Sequence, residues 1–132
     1  MLRICCALLL GTLGAFGQAP NSQDAVWLTG RAWILMPDTV KVFYVTGLRD
    51  GMAIASYALP AEARELMTER TQAKGFNPGD YVKEFDKLFA ERENLNIVLP
   101  LAYQYVTVKL KGATTSQDLE QQLIQLRRMM AK

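Results

Sequence analysis

From residue 38 onward, apolar side chains return every three or four positions, the interval that gathers them on one face of an α-helix. The first such stretch opens at Pro37-Asp38, with Asp38 placed to cap it. It carries Val40, Phe43, Tyr44, Gly47, Leu48, Gly51, Met52 and Ala55 as one face. Residues 40–45 are β-branched and aromatic enough for a strand, but the length of the pattern and its small residues favour the helix. Leu59-Pro60 ends it, and Pro60 suits the first turn of a second helix over 61–74, which Gly75 stops. Asn77-Pro78-Gly79-Asp80 starts a third, with Asn77 as its cap and Asp80 near the positive end of the helix dipole. Its buried stripe is Tyr81, Val82, Phe85, Leu88 and Phe89.

After a connector at 94–99, Pro100 fits the first turn of a fourth helix running to Gly112. Leu101, Ala102, Tyr105 and Val108 would face inward, joined by Val106. Residues 104–111 also alternate polar and apolar, so a strand competes there. The last helix follows Thr114-Thr115-Ser116, where Thr114 with Gln117 or Thr115 with Asp118 forms a capping box. Leu119, Leu123, Leu126 and Met130 make its stripe. The fold class is therefore all-α: one domain over 38–132, a small bundle of about four to five short helices.

The start of the chain reads as an address. One positive residue, Arg3, precedes an apolar run at 4–16, and Ala15-Phe16-Gly17 offers small residues where a signal peptidase cuts. Residues 1–17 are expected to be a cleaved signal peptide, which places the mature chain in the periplasm or outside the cell. The run is short of the roughly 20 residues of a membrane helix, so no stable span is expected after cleavage. Residues 18–37 form an irregular or briefly helical segment that tucks apolar side chains against the domain. It holds both tryptophans, Trp27 and Trp33. Burial is the first account of each, since an indole removes a large area from water. A surface role in binding is the other.

Composition narrows the chemistry. The 132 residues include no histidine, which excludes Ser-His-Asp and Cys-His catalysis and imidazole metal sites. Both cysteines, Cys5 and Cys6, lie in the leader, so the mature chain has no thiol, disulfide or thiolate ligand. No cofactor or metal site is expected. Beyond Arg3, fourteen lysines and arginines face thirteen acidic residues, a balance that speaks against nucleic-acid binding.

The most distinctive motif is Tyr44-Val45-Thr46-Gly47-Leu48-Arg49-Asp50-Gly51. Glycines in a helix interior cost about 1 kcal/mol each, so something should offset Gly47 and Gly51. One explanation is a tight helix crossing over the glycines, with Asp50 as its buried polar clamp. The other makes the groove above them a recognition surface. At Tyr44, Val45, Gly47, Asp50 and Gly51 the chain resembles the Rap/Tai-type immunity proteins, small helical proteins of the bacterial periplasm. The resemblance implies neutralisation of a toxin delivered by a secretion system. That family pins its helices with cysteines, which the mature chain lacks. With Trp33 and Lys109-Leu110-Lys111-Gly112 the chain also looks like exported helical proteins of soil bacteria to which no activity is assigned.

The first functional expectation is thus an exported, non-catalytic protein that binds a protein partner in the envelope, as an immunity factor, inhibitor or chaperone does. The second is a carrier of a small apolar ligand or lipid, its cavity lined by Phe43, Tyr44, Phe85, Phe89, Tyr103 and Tyr105. The third is a carboxylate-only enzyme drawing on Asp50, Asp86, Glu91 and Glu93.

Overall fold

The computed structural model describes residues 27–131. They form six α-helices: α1 (Gly30–Trp33), α2 (Asp38–Tyr57), α3 (Ala61–Thr71), α4 (Pro78–Ala90), α5 (Leu99–Lys111) and α6 (Ser116–Met130), with a 3-10 turn at Arg92–Asn94. The chain is all-α, and among the described residues no strand is present beyond one isolated bridge, Thr29 with Val98. The leader expected at 1–17, and the segment ahead of Trp27, lie outside the described residues.

Local chemistry explains most boundaries. At the start of α4 a capping box forms: the Asp80 N–H donates to Asn77 Oδ1 at 3.2 Å, and the Asn77 N–H donates to Asp80 Oδ2 at 2.9 Å. At α6 the cap is Thr115, whose Oγ1 accepts from the Asp118 N–H at 3.2 Å. α2 differs by one position, since Pro37 occupies the N-cap and Asp38 lies in the first turn, still beside the positive end of the dipole. α3 stops at Thr71, because Gln72 is extended and the turn runs on to Gly75 at φ +85°. Residues 104–111 lie within α5, which Gly112 closes in the left-handed conformation, donating its N–H to Lys109 O. That rules out the strand.

α4 is the central element. Tyr81, Val82, Phe85, Leu88 and Phe89 are all buried, as the spacing predicts. They pack on α5, whose inward face is Leu99, Ala102, Tyr103, Val106 and Thr107. The expected face is corrected in part: Ala102 and Val106 are buried as expected, Leu101 and Tyr105 pack half-buried against the core, Val108 is half-buried, and Leu99, Tyr103 and Thr107 take the innermost places. The rotation is made possible by Thr107, a polar residue that would not be assigned to a core. Its hydroxyl donates to Tyr103 O at 2.8 Å and lies 3.1 Å from the Tyr81 hydroxyl, so burial leaves nothing unpaired. Tyr81 and Tyr103 stack at 4.8 Å with their rings 10° apart.

The folded unit begins well before residue 38. Leu99 N–H donates to Leu28 O at 2.8 Å, Gly30 N–H to Ile97 O at 3.1 Å, and Arg31 N–H to Leu95 O at 3.1 Å. This strap lays α1 across the end of α4 and drives Trp33 into the core, with its ring 4.7 Å from Phe85 and 6.4 Å from Phe89. Gly30 makes the approach possible. A methyl group there would lie 2.3 Å from the Phe89 ring and 3.0 Å from the Leu95 Cα.

Gly30→Ala should therefore cost about 2–3 kcal/mol, the scale of overpacking in a core. Urea denaturation of parent and variant checks this, and an unchanged midpoint would contradict the close approach.

Candidate functional site

Trp33 sits at the junction of the strap, α2 and α4, completely buried, in line with the first of its two accounts, and this removes it from the candidate surface aromatics. Its Nε1–H donates to Asp86 Oδ1 at 2.8 Å. The Lys41 ammonium donates to the same oxygen at 2.8 Å and lies 5.4 Å from the centre of the indole ring. The Lys41 side chain is only 11% exposed, so Asp86 supplies the counter-charge its burial requires. The indole and the ammonium converge on one carboxylate oxygen, so Asp86 is a rivet between α1, α2 and α4. Trp27 is the opposite case, 63% exposed at the start of the strap.

The glycine motif lies where neither a crossing nor a clamp exists. Gly47 and Gly51 are exposed, and a side chain at either would meet nothing within 4 Å. Asp50 is exposed and accepts from its neighbour, Arg49 Nε, at 3.0 Å, rather than acting as a buried clamp. Tyr44 is half-buried against the core, and burial raises its hydroxyl above the ordinary phenol value. The core side of α2 is Lys41, Val45 and Ser56, flanked by Tyr44, Leu48 and Met52. Relative to the expected face, the helix is turned so that Val40, Phe43, Gly47 and Gly51 point to solvent.

The turned helix presents an apolar face on which Ile54 and Tyr57 join Val40, Phe43, Gly47 and Gly51 of the expected one. Phe43 is 75% exposed, Ile54 71% and Tyr57 74%, with Val40 at one end and the two glycines between. At 100° per residue these positions fall within one side of α2, diametrically opposite Val45 and Met52. The phase Lys41, Val45, Leu48, Met52 and Ser56 was present in the sequence as a second helical period. A lysine at its head concealed it.

The remaining charged groups are tied to one another. Glu84 lies between Lys87 at 2.6 Å and Lys109 at 2.7 Å. Burial works to raise its carboxyl, but Lys109 and then Lys87 outweigh that and hold it below the ordinary glutamate value. Arg127 bonds Glu91 at 3.0 Å, Glu93 at 2.8 Å and the buried Asn94 Oδ1 at 2.8 Å. Asn94 in turn donates to Leu88 O at 2.7 Å, so α6 is pinned to the end of α4. Among the described residues, no group of three acidic or cysteine side chains is placed to hold a metal. Of the aromatics proposed to line a cavity, Phe85, Phe89 and Tyr103 are packed in the core, while Phe43 faces outward. Burial pushes the Tyr103 hydroxyl far above the ordinary phenol range, and it donates to Thr71 O at 3.1 Å. The hollow between Glu91, Tyr105, Leu123 and Arg127 is an open groove. Among the described residues no helix is long and apolar enough to cross a membrane.

Two predictions follow from this geometry. Because a methyl group meets open space on the outer face of α2, Gly47→Ala and Gly51→Ala should each stabilise dilute protein by about 0.5–1 kcal/mol in chemical denaturation. A loss would contradict the open face. For Glu84, the folded-state pKa lies below the unfolded one, so its stabilisation is complete at neutral pH and is lost as the pH falls through the folded value. Glu84→Gln should cost about 1–2 kcal/mol near neutrality, with the gap to the parent closing as acid protonates the folded-state carboxylate.

No protein-family model, curated protein or solved structure matches this chain.

Proposed function

We propose that this is an exported, non-catalytic protein that binds a protein partner in the periplasm or outside the cell, through the outward face of α2. The observation that carries the reading is the exposure of Phe43, Ile54 and Tyr57 along one helix face around Gly47 and Gly51. Single apolar side chains on a surface need no explanation, but several in a row on one helix mark an interface. The glycines fit the same reading. Nothing within the fold offsets their cost in helix stability, and a docked surface close to the backbone would.

The alternatives draw less support. A carrier needs its aromatics around a void, whereas Phe85, Phe89 and Tyr103 fill the core against one another. An enzyme needs free carboxylates converging on a substrate, whereas Asp86, Glu91 and Glu93 are each engaged by a lysine or arginine. The resemblance to immunity proteins is in keeping with the proposal, because Gly47, Asp50 and Gly51 of the shared pattern are exposed and available for recognition.

A photo-crosslinking residue at Ile54, expressed in the full chain in its native cell, tests the proposal. It should trap one defined protein on irradiation, while the same group at Lys83, exposed on α4, should trap none. Equal labelling from both positions, or no adduct from Ile54, would count against α2 as the binding face.

A further inference from the structure

A groove of about 770 Å³ opens between α3, the turn after it, the end of α5 and α6. That volume falls within the range of small-ligand sites, about 300–1,000 Å³. We propose that the groove takes a small amphiphile: an apolar chain that ends in a carboxylate. The assignment goes beyond the partner-binding reading and does not rest on the face of α2.

Two kinds of side chain meet in the groove. Leu66 of α3 and Phe76 of the turn are 49% and 39% exposed, and Val108 of α5 is half-buried. Arg70, Lys74 and Lys111 line the same groove against a single carboxylate, Glu69. The Lys111 ammonium donates to Glu69 O, which sets the end of α5 against the last turn of α3. Arg70 follows by one residue, and Lys74 lies just past the end of the helix. Leu66 and Arg70 are four apart on α3, and Val108 and Lys111 are three apart on α5. Each helix therefore brings an apolar side chain and a cation to one face.

The cations carry the argument. Lys87 and Lys109 are held by Glu84, and Arg127 by Glu91 and Glu93. By contrast, Arg70, Lys74 and Lys111 have no carboxylate within 4.0 Å among the described residues. Lys111 uses one of its three N–H donors on a carbonyl near the C-terminal end of α3, where a cation is favoured, and two donors remain. Lys74 lies outside both helices, beyond the last turn over which a helix dipole acts. A neutral apolar ligand would leave these charges unmatched. A small inorganic anion would leave Leu66, Phe76 and Val108 in water. One molecule that carries both an apolar chain and a carboxylate satisfies the whole groove.

The test is isothermal titration calorimetry of the full chain as the cell delivers it, with dodecanoate below its micellar concentration. The expected result is one-to-one binding with a Kd below about 1 mM. Raising the salt concentration should weaken it, because the charges at the groove are screened. Acetate lacks the chain and dodecyltrimethylammonium reverses the charge; each should bind at least about tenfold more weakly. Lys74→Glu and Leu66→Gln should each weaken dodecanoate by at least about fivefold with unchanged circular-dichroism spectra, since both side chains reach solvent. Lys83→Glu, exposed on α4, should bind like the parent. No saturable heat, equal affinity for the cationic chain, or Lys74 and Leu66 variants that bind like the parent would each overturn the proposal. So would association with vesicles of anionic lipid without binding of monomeric dodecanoate. The Ile54 crosslink reads a different surface, so either result can stand without the other.

Discussion

The placement of Trp33 between α2 and α4 governs the rest of the structure. An indole N–H taken out of water needs an acceptor, and Asp86 on α4 provides it. A half-covered carboxylate beside a buried ring needs a cation, and Lys41 on α2 provides that. Asp86 is the nearer of the two carboxylates beside Lys41, at 2.8 Å against 3.8 Å for Asp38. Two neighbouring segments, α1 and α2, are thus joined to the distant α4 by a sequence of requirements, each created by the one before. The consequence reaches beyond the core. With Lys41 turned inward, residues half a helical turn away must turn outward, so the exposure of Phe43, Gly47 and Ile54 follows from the same contact.

Polar contacts play a similar part at the other end. α6 has no fully buried residue and leans on the core through Leu123 and Leu126. Its position is set by Arg127, which reaches Glu91, Glu93 and the buried Asn94. Asn94 is itself held by Leu88 O at the end of α4. The α4–α5 seam relies on Thr107 and the two stacked tyrosines. A domain of this size has limited apolar mass, and these satisfied polar groups make the arrangement specific where packing alone would allow the helices to rotate.

For function, the important property of the α2 face is that it is preorganised. The helix is fixed by its core side, and Phe43, Ile54 and Tyr57 project from it without any loop having to order. Docking onto such a face costs little backbone entropy, so a modest area suffices for specific association.

How far the sequence alone could be read is clearest in a comparison of α4 with α2. In α4, one stripe is aromatic and aliphatic and the other side is charged, so helix, cap and buried residues were all legible. The stop at Gly112 was legible for a similar local reason, and Thr115 was one of two caps left open by the spacing. In α2 apolar residues occur on both sides, and periodicity names sets of residues that share a face without saying which set is buried. Thr107 and Lys41 belong to inward sets, yet both look like surface residues until Tyr81 and Asp86 are placed beside them. Trp33 and Gly30 likewise sit in a stretch with no regular pattern, and only the backbone pairing with residues 95–99 brings them inside. The sequence by itself thus determined the helical class, most helix limits and the core stripe of α4, because those rest on interactions within a few residues. The tertiary structure alone decided the rotation of α2 and α5 and the exposure of the glycine motif, because burial of a polar side chain depends on a partner distant in the chain.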